Sequence, residues 1–206
     1  MKRKYAVITG DLVKSREILE RYKVQIKLQK VLNAVNKEFK DDILVNFSIT
    51  LGDEFQGLLD KPEKSFDIIK EIQKEMYPVK ISFGIGYGTI STKIAKKTTE
   101  MDGECFRKSR EALLTAKKLK QEIIYNTGTD IDLSVNTILR LMYSIKSDWK
   151  KIHYHRIWLY EKLGTLEKVA KVEKITKQMV SKMFIDIKYE DIRNAEETVK
   201  KLLSTL

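Results

Sequence analysis

ILVNFSITLGDEFQGLL, residues 43–59, decides the architecture. Ile43, Val45, Phe47, Ile49 and Leu51 alternate with Asn46, Ser48 and Thr50, the period of a strand with one dry and one polar face. Gly52-Asp53 is a tight-turn pair, and Glu54–Leu59 is the returning strand of a hairpin. Before it, KYAVITG (4–10) reads as a buried strand. Residues 17–39 read as an amphipathic helix, with Ile18, Tyr22, Ile26, Leu32, Val35 and Phe39 at helical spacing. After it, Pro62 opens a helix to about Met76. Val79, Ile81, Phe83, Ile85 and Tyr87 then alternate with Lys80, Ser82, Gly84, Gly86 and Gly88. Three glycines on one strand face predict a close approach, by a packed helix or by a ligand. A helix over about 103–119 and a short strand at Glu122–Asn126 complete the unit. The order β-α-β-β-α-β, with an added α-β, predicts an α+β domain over residues 1–130: a ferredoxin-like sheet with helices on one face. NTGTDIDLS (126–134) marks a boundary, and residues 131–206 carry only helical patterning, predicting a second, all-α domain.

This order of elements brings acids together. If strand 1 runs upward, its helix returns the chain and strand 2 runs upward again, so the hairpin lies at the end of the sheet where strand 1 finishes. Asp11 is expected to follow strand 1, with Asp53 and Glu54 at the hairpin. Carboxylates this close repel unless they share a cation, and hard oxygen donors suit Mg²⁺ or Mn²⁺. Leu12, Ser15 and Arg16, at the start of the first helix, and Gly52 in the turn are candidates to surround a nucleotide's phosphates. The alternative for Ser15 is a helix cap, and Lys14 reads as solvated. Ser48, Thr50, Ser82 and Gly84 are expected to line the nucleotide on the polar face of the sheet.

Asp11 in GDLVKSR resembles the first metal-binding aspartate of class III nucleotidyl cyclases. LGDEFQGLL (51–59) resembles the cyclase hairpin and the GGDEF hairpin of diguanylate cyclases, and ISFGIGYG (81–88) resembles the cyclase strand that follows. The ordering, down to MDGECFRKSREAL (101–113), is similar to the SatD family of bacterial proteins over nearly the whole chain. The resemblance implies a palm-like, nucleotidyl-cyclase-like domain that binds a nucleotide with a divalent metal, either as a sensor or as a metal-dependent nucleotidyl transferase, cyclase or phosphohydrolase. Four positions depart from it. Leu51 replaces the first glycine of GGDEF, Ile49 stands at the base-selecting lysine of adenylyl cyclases, and Arg107 and Glu111 stand where a transition-state Asn and Arg are found. No catalytic residue is assigned.

TLEKVAKVEKITKQMVSKMF (165–184) has the pattern of a helix-turn-helix, with HRIWLYEKLG (155–164) as a supporting helix. Ala170, Val172, Ile175, Val180 and Met183 are expected inside. Thr176, Lys177, Gln178, Ser181 and Lys182 are expected on the face towards the major groove of double-stranded DNA, with Lys168 and Lys171 on phosphates. Lys174 stands where the turn usually has glycine. The alternative is a three-helix bundle that packs or dimerises. The charge favours DNA: the chain has formal net charge +11, and residues 146–188 hold eleven Lys/Arg against five acids. A palindromic site would need a homodimer. Trp149 and Trp158 read as core anchors, and His153 and His155 are not spaced as metal ligands on a helix. No apolar run reaches the roughly 20 residues of a membrane span. The lone Cys105 and the absence of a signal-peptide pattern give the expectation of a reducing cytoplasm.

Overall fold

The computed structural model describes residues 3–206. Its first elements are β1 (Tyr5–Leu12), α1 (Arg21–Glu38), β2 (Ile43–Leu51), β3 (Glu54–Leu59), α2 (Ser65–Met76), β4 (Ile81–Gly88), α3 (Glu104–Leu119) and β5 (Ile123–Asn126). Helices α4 (Ile131–Lys146), α5 (Lys151–Leu163), α6 (Leu166–Glu173), α7 (Lys177–Asp186) and α8 (Tyr189–Leu203) follow. The chain forms two compact units, residues up to Thr137 with Val199–Leu206, and Ile138–Thr198. The division falls inside α4, later than the expected boundary at 130/131, and the last residues belong with the first unit. There the Tyr87 hydroxyl donates to the Leu206 carbonyl at 2.9 Å.

The sheet order is β2-β3-β1-β4-β5, that of a ferredoxin-like sheet with one strand added. β1 is central and antiparallel to both β3 and β4, and β5 runs parallel to β4. Helices cover both faces, not one. On the first face α1 and α2 pack together and bury Leu28, Leu32, Ile69 and Ile72 with Ile8, Phe55, Phe83 and Ile85 of the strands. Phe55 sits between Phe47 and Phe83 there, and Gly10 and Gly57 make room for the rings. α3 covers the second face, where Cys105 and Phe106 cluster with Val7, Val45 and Leu58.

That second face explains the glycines of β4. A Cβ at Gly84 would come 2.1 Å from the backbone nitrogen of Leu113, and one at Gly86 would come 2.1 Å from the Cys105 carbonyl oxygen. The close approach is therefore by a helix backbone, and Gly84 does not line an open ligand face as expected. The hairpin strand also departs from its pattern. Register shifts at Ile43/Val45, Val45/Ser48 and Ile49/Leu51 break β2, so Val45 faces α3 while Phe47 faces α1. A bulge changes which face the following side chains take, which simple alternation cannot anticipate. The first helix starts late. Ser15–Glu17 form a 3₁₀ turn, α1 begins at Arg21, and Tyr22 and Ile26 are exposed.

Each outer strand of the sheet is met by an asparagine from a helix. Asn36 of α1 accepts from the Phe47 N–H at 2.8 Å and donates to the Phe47 carbonyl at 3.0 Å. Asn136 of α4 makes the same pair with Tyr125 of β5, both at 2.8 Å.

In the second unit, Thr165 and Thr176 cap α6 and α7 through their hydroxyls, accepting from the Lys168 and Met179 N–H groups at 3.3 and 3.2 Å. Lys174 joins the two helices in the left-handed conformation at φ 55°. Val169, Ala170 and Val180 are buried together, but Val172 is exposed, against expectation, because it lies on the outer side of α6. Trp149 and Trp158 pack against the cluster of Ile157, Met183, Ile187 and Tyr189, and the Trp149 indole donates to the Ile187 carbonyl at 3.1 Å.

Gly84→Ala and Gly86→Ala should each lower stability in urea unfolding by about 3 kcal/mol, the upper range for overpacking. A loss below about 0.5 kcal/mol, ordinary for an open surface site, would mean that α3 does not lie on this face.

Candidate functional site

Asp11 lies inside β1 rather than after it, opposite Glu54 of β3 on one side and Ser82 of β4 on the other. Alternation puts this row on the face that α3 covers, because Thr9, two residues earlier, bonds to Ser109 of α3. The Thr9 and Ser109 hydroxyls are 2.5 Å apart, Gln56 donates to Thr9 at 2.9 Å, and Ser109 donates to the Gly84 carbonyl at 3.1 Å. This buried network fixes α3 along its axis.

So fixed, α3 places two basic side chains over the row. Lys117 reaches Asp11 Oδ2 at 2.8 Å, and Arg110 reaches Glu54 Oε1 at 3.1 Å. Residues seven apart share a helical face, which is why both can point at the sheet. Asp53 sits in the turn after β2 and is held from the other side, by α1. Arg21 donates to its Oδ2 at 2.8 Å and Gln25 to its Oδ1 at 2.9 Å. Gly52, at φ 61°, makes the turn possible.

The predicted acids therefore gather at one end of the sheet, each beside a cation of its own. Among the described residues, no three His, Cys, Asp or Glu side chains converge as a ready metal site. Asp53 is the most enclosed, with its side chain 5% exposed. Burial opposes its ionisation, yet hydrogen bonds from Ser15, Gln25 and Arg21 outweigh it and hold the carboxyl below its usual range.

Of the residues expected near phosphate or base, Ser15 reaches Asp53, Arg16 is exposed in the 3₁₀ turn, and Leu12 is buried at the end of β1. Ser48 pairs in register with Gln56, and the Thr50 hydroxyl donates to the Glu54 carbonyl at 3.2 Å. Arg107 and Glu111 are engaged elsewhere, with Asp102 and Asn126. Cys105 is enclosed by α3 packing, and burial pushes its thiol up to about 11. His155 contacts Glu173, and His153 accepts from the Lys150 N–H. Sequence reasoning missed Arg21, Gln25, Arg110 and Lys117. The available signal was spacing: Arg21 and Gln25 share a face at i, i+4, and Arg110 and Lys117 at i, i+7.

The SatD family profile matches residues 5–194. The chain belongs to the SatD family. No curated protein matches it. Among the solved structures with partial likeness to this SatD-family chain are three cyclases. The diguanylate cyclase SiaD, in complex with its activator SiaC from Pseudomonas aeruginosa, is similar over 60% of this chain and 50% of its own, at 12% identity and TM-score 0.46. The active GGEEF domain of a diguanylate cyclase from Vibrio cholerae is similar over 59% and 81%, at 15% identity and TM-score 0.44. The guanylate cyclase domain of RhGC from Catenaria anguillulae, in complex with GTP, is similar over 53% and 72%, at 16% identity and TM-score 0.42. The SatD-family chain thus spans half the length of SiaD.

Because the folded-state pKa of Asp53 is depressed, its contribution to stability is present above the unfolded value and lost as pH falls through the folded one. Asp53→Asn should lower stability at pH 7 and flatten the fall in stability below about pH 4. An unchanged acid limb in urea unfolding from pH 2 to 7 would show that Asp53 is not held as described.

Proposed function

We propose that the α/β unit binds a nucleotide together with Mg²⁺ or Mn²⁺ at the end of the sheet where Asp11, Asp53 and Glu54 lie, and that the protein is regulatory. The one-to-one pairing of these carboxylates with Lys117, Arg21 and Arg110 carries the reading. A metal–phosphate group needs both signs of charge, hard oxygen donors for the cation and ammonium or guanidinium groups for the phosphate. Both are stored here as internal pairs. Since Lys117 and Arg110 are 42% and 63% exposed, their pairs with Asp11 and Glu54 are weak enough to exchange, while the enclosed Asp53 keeps its donors until an ion takes their place.

Asp11 and Asp53 would hold the ion, with Glu54 third, and the ion would neutralise phosphate charge. The freed basic groups, with Ser15, Arg16 and the backbone at Leu12 and Gly52, would take the phosphates. Ion and nucleotide would then enter together, because neither finds a prepared site alone. Calorimetry of Mn²⁺ binding should show at least about tenfold tighter affinity with a non-hydrolysable nucleoside triphosphate present, within the usual range of coupling between two ligands. Asp11→Asn should abolish that enhancement. An enhancement undiminished in this variant would sink the proposal, and metal-dependent turnover of a natural triphosphate would move it to the transferase, cyclase or phosphohydrolase class.

A second reading assigns double-stranded DNA to Ile138–Thr198. The left-handed Lys174 between α6 and α7 favours it, as do the exposed Lys168, Lys171, Gln178 and Lys182. Lys177 is paired with Glu167, the Thr176 hydroxyl caps α7 and Ser181 is half-buried, so these three are less available than their positions suggested. The intact chain should retard random duplexes at low salt. Lys171→Ala should weaken every sequence alike and Gln178→Ala should reduce preference between sequences. A homodimer would be required for a palindromic site. No retardation at low salt would leave these helices as a packing module.

A further inference from the structure

Within Ile138–Thr198, α5, α7 and the start of α8 bring Tyr160, Phe184 and Tyr189 together. Ring centroids are 5.2 Å apart for Tyr160–Phe184, 6.0 Å for Tyr160–Tyr189 and 4.7 Å for Phe184–Tyr189. The planes meet at 70°, 88° and 74° in the same order. The three rings meet edge to face in a corner between the helices, with Tyr189 8% exposed. With Glu190 and Asp191 they line a cavity of about 370 Å³.

Acids in the first turn of α8 are expected from the helix dipole alone. Three aromatic walls beside them are not, and together they have a shared chemistry. Ring faces are negative through their quadrupole, and carboxylates add full charge. Burial, followed by the charge of Glu161, pushes the Tyr189 hydroxyl up to about 12. In the lining itself two carboxylates, Glu190 and Asp191, stand against one ammonium, Lys188.

We propose that this corner binds an organic cation, an alkylated ammonium group of about the size of choline, over the three rings and against Glu190 and Asp191. A cation is attracted to a ring when it lies within about 6 Å of the centroid, and one ammonium can satisfy that for three rings so closely grouped. Lys188 also lines the cavity and Arg193 lies 3.9 Å from Glu190, so both compete for the same carboxylates. The cation is either a free small molecule or the methylated lysine of a peptide.

The test is calorimetric titration of the full chain with choline, with trimethyl-lysine in a short neutral peptide, and with 3,3-dimethylbutan-1-ol, the uncharged isostere of choline. At least one cation should bind with Kd on the order of 1 mM or tighter, at least about tenfold better than the isostere. Tighter binding of choline identifies the free source, and tighter binding of the peptide identifies the lysine source. Glu190→Gln with Asp191→Asn should weaken binding, and Lys188→Asn should strengthen it. Because the acids begin α8, Tyr160→Leu is the second variant: it removes a ring, keeps both charges, and should also weaken binding. Equal binding of cation and isostere, no saturable binding of either cation, or full affinity in Tyr160→Leu overturns the proposal.

Discussion

A helix can lie with its backbone against a strand only where the strand carries no side chain. Gly84 and Gly86 provide that opening in β4, and much of the α/β unit depends on it. With α3 seated this low, Ser109 reaches Thr9 and the Gly84 carbonyl, and the buried hydroxyl network stops the helix from sliding. Its axial position then decides which basic residues stand above the acids. A helix raised by one alanine methyl would lose both contacts: the buried Ser109 hydroxyl would be left without partners, and Arg110 and Lys117 would be carried away from Glu54 and Asp11. Backbone contact, hydrogen bonding and site charge are thus one coupled arrangement.

The three carboxylates differ in how firmly they are held. Asp11 and Glu54 face cations that remain half in water, where an ion pair contributes about 0–1 kcal/mol. Asp53 is enclosed, and removing its donors would leave a buried charge uncompensated, which is far more costly. It ties the β2–β3 turn to α1 and, through Ser15, to the segment after β1. One end of the sheet therefore combines a rigid anchor with two exchangeable pairs.

Much of this was legible in the sequence. The succession of strands and helices follows from alternation and helical spacing, and the gathering of Asp11, Asp53 and Glu54 follows from strand direction. The faces were not legible. Alternation assumes an unbroken ladder, and the shifts in β2 send Val45 and Phe47 to opposite sides. The glycines of β4 were compatible with a helix or a ligand, and only the position of α3 separates the two. Arg21, Gln25, Arg110 and Lys117 escaped notice because a basic residue on an amphipathic helix usually faces solvent, and its partner lies far away in sequence. Val172 shows the opposite limit: an apolar residue in a helical pattern need not lie inside.

Asn36 and Asn136 have a wider consequence. The outermost strands of an open sheet expose unpaired N–H and C=O groups, which template the addition of a further strand from another molecule. At Phe47 and at Tyr125 an asparagine amide already occupies both groups, imitating the neighbour that a foreign strand would supply. The shifted register of β2 further spoils the spacing that a newcomer would need. At these two positions, one on each edge, the sheet is therefore guarded against growing sideways.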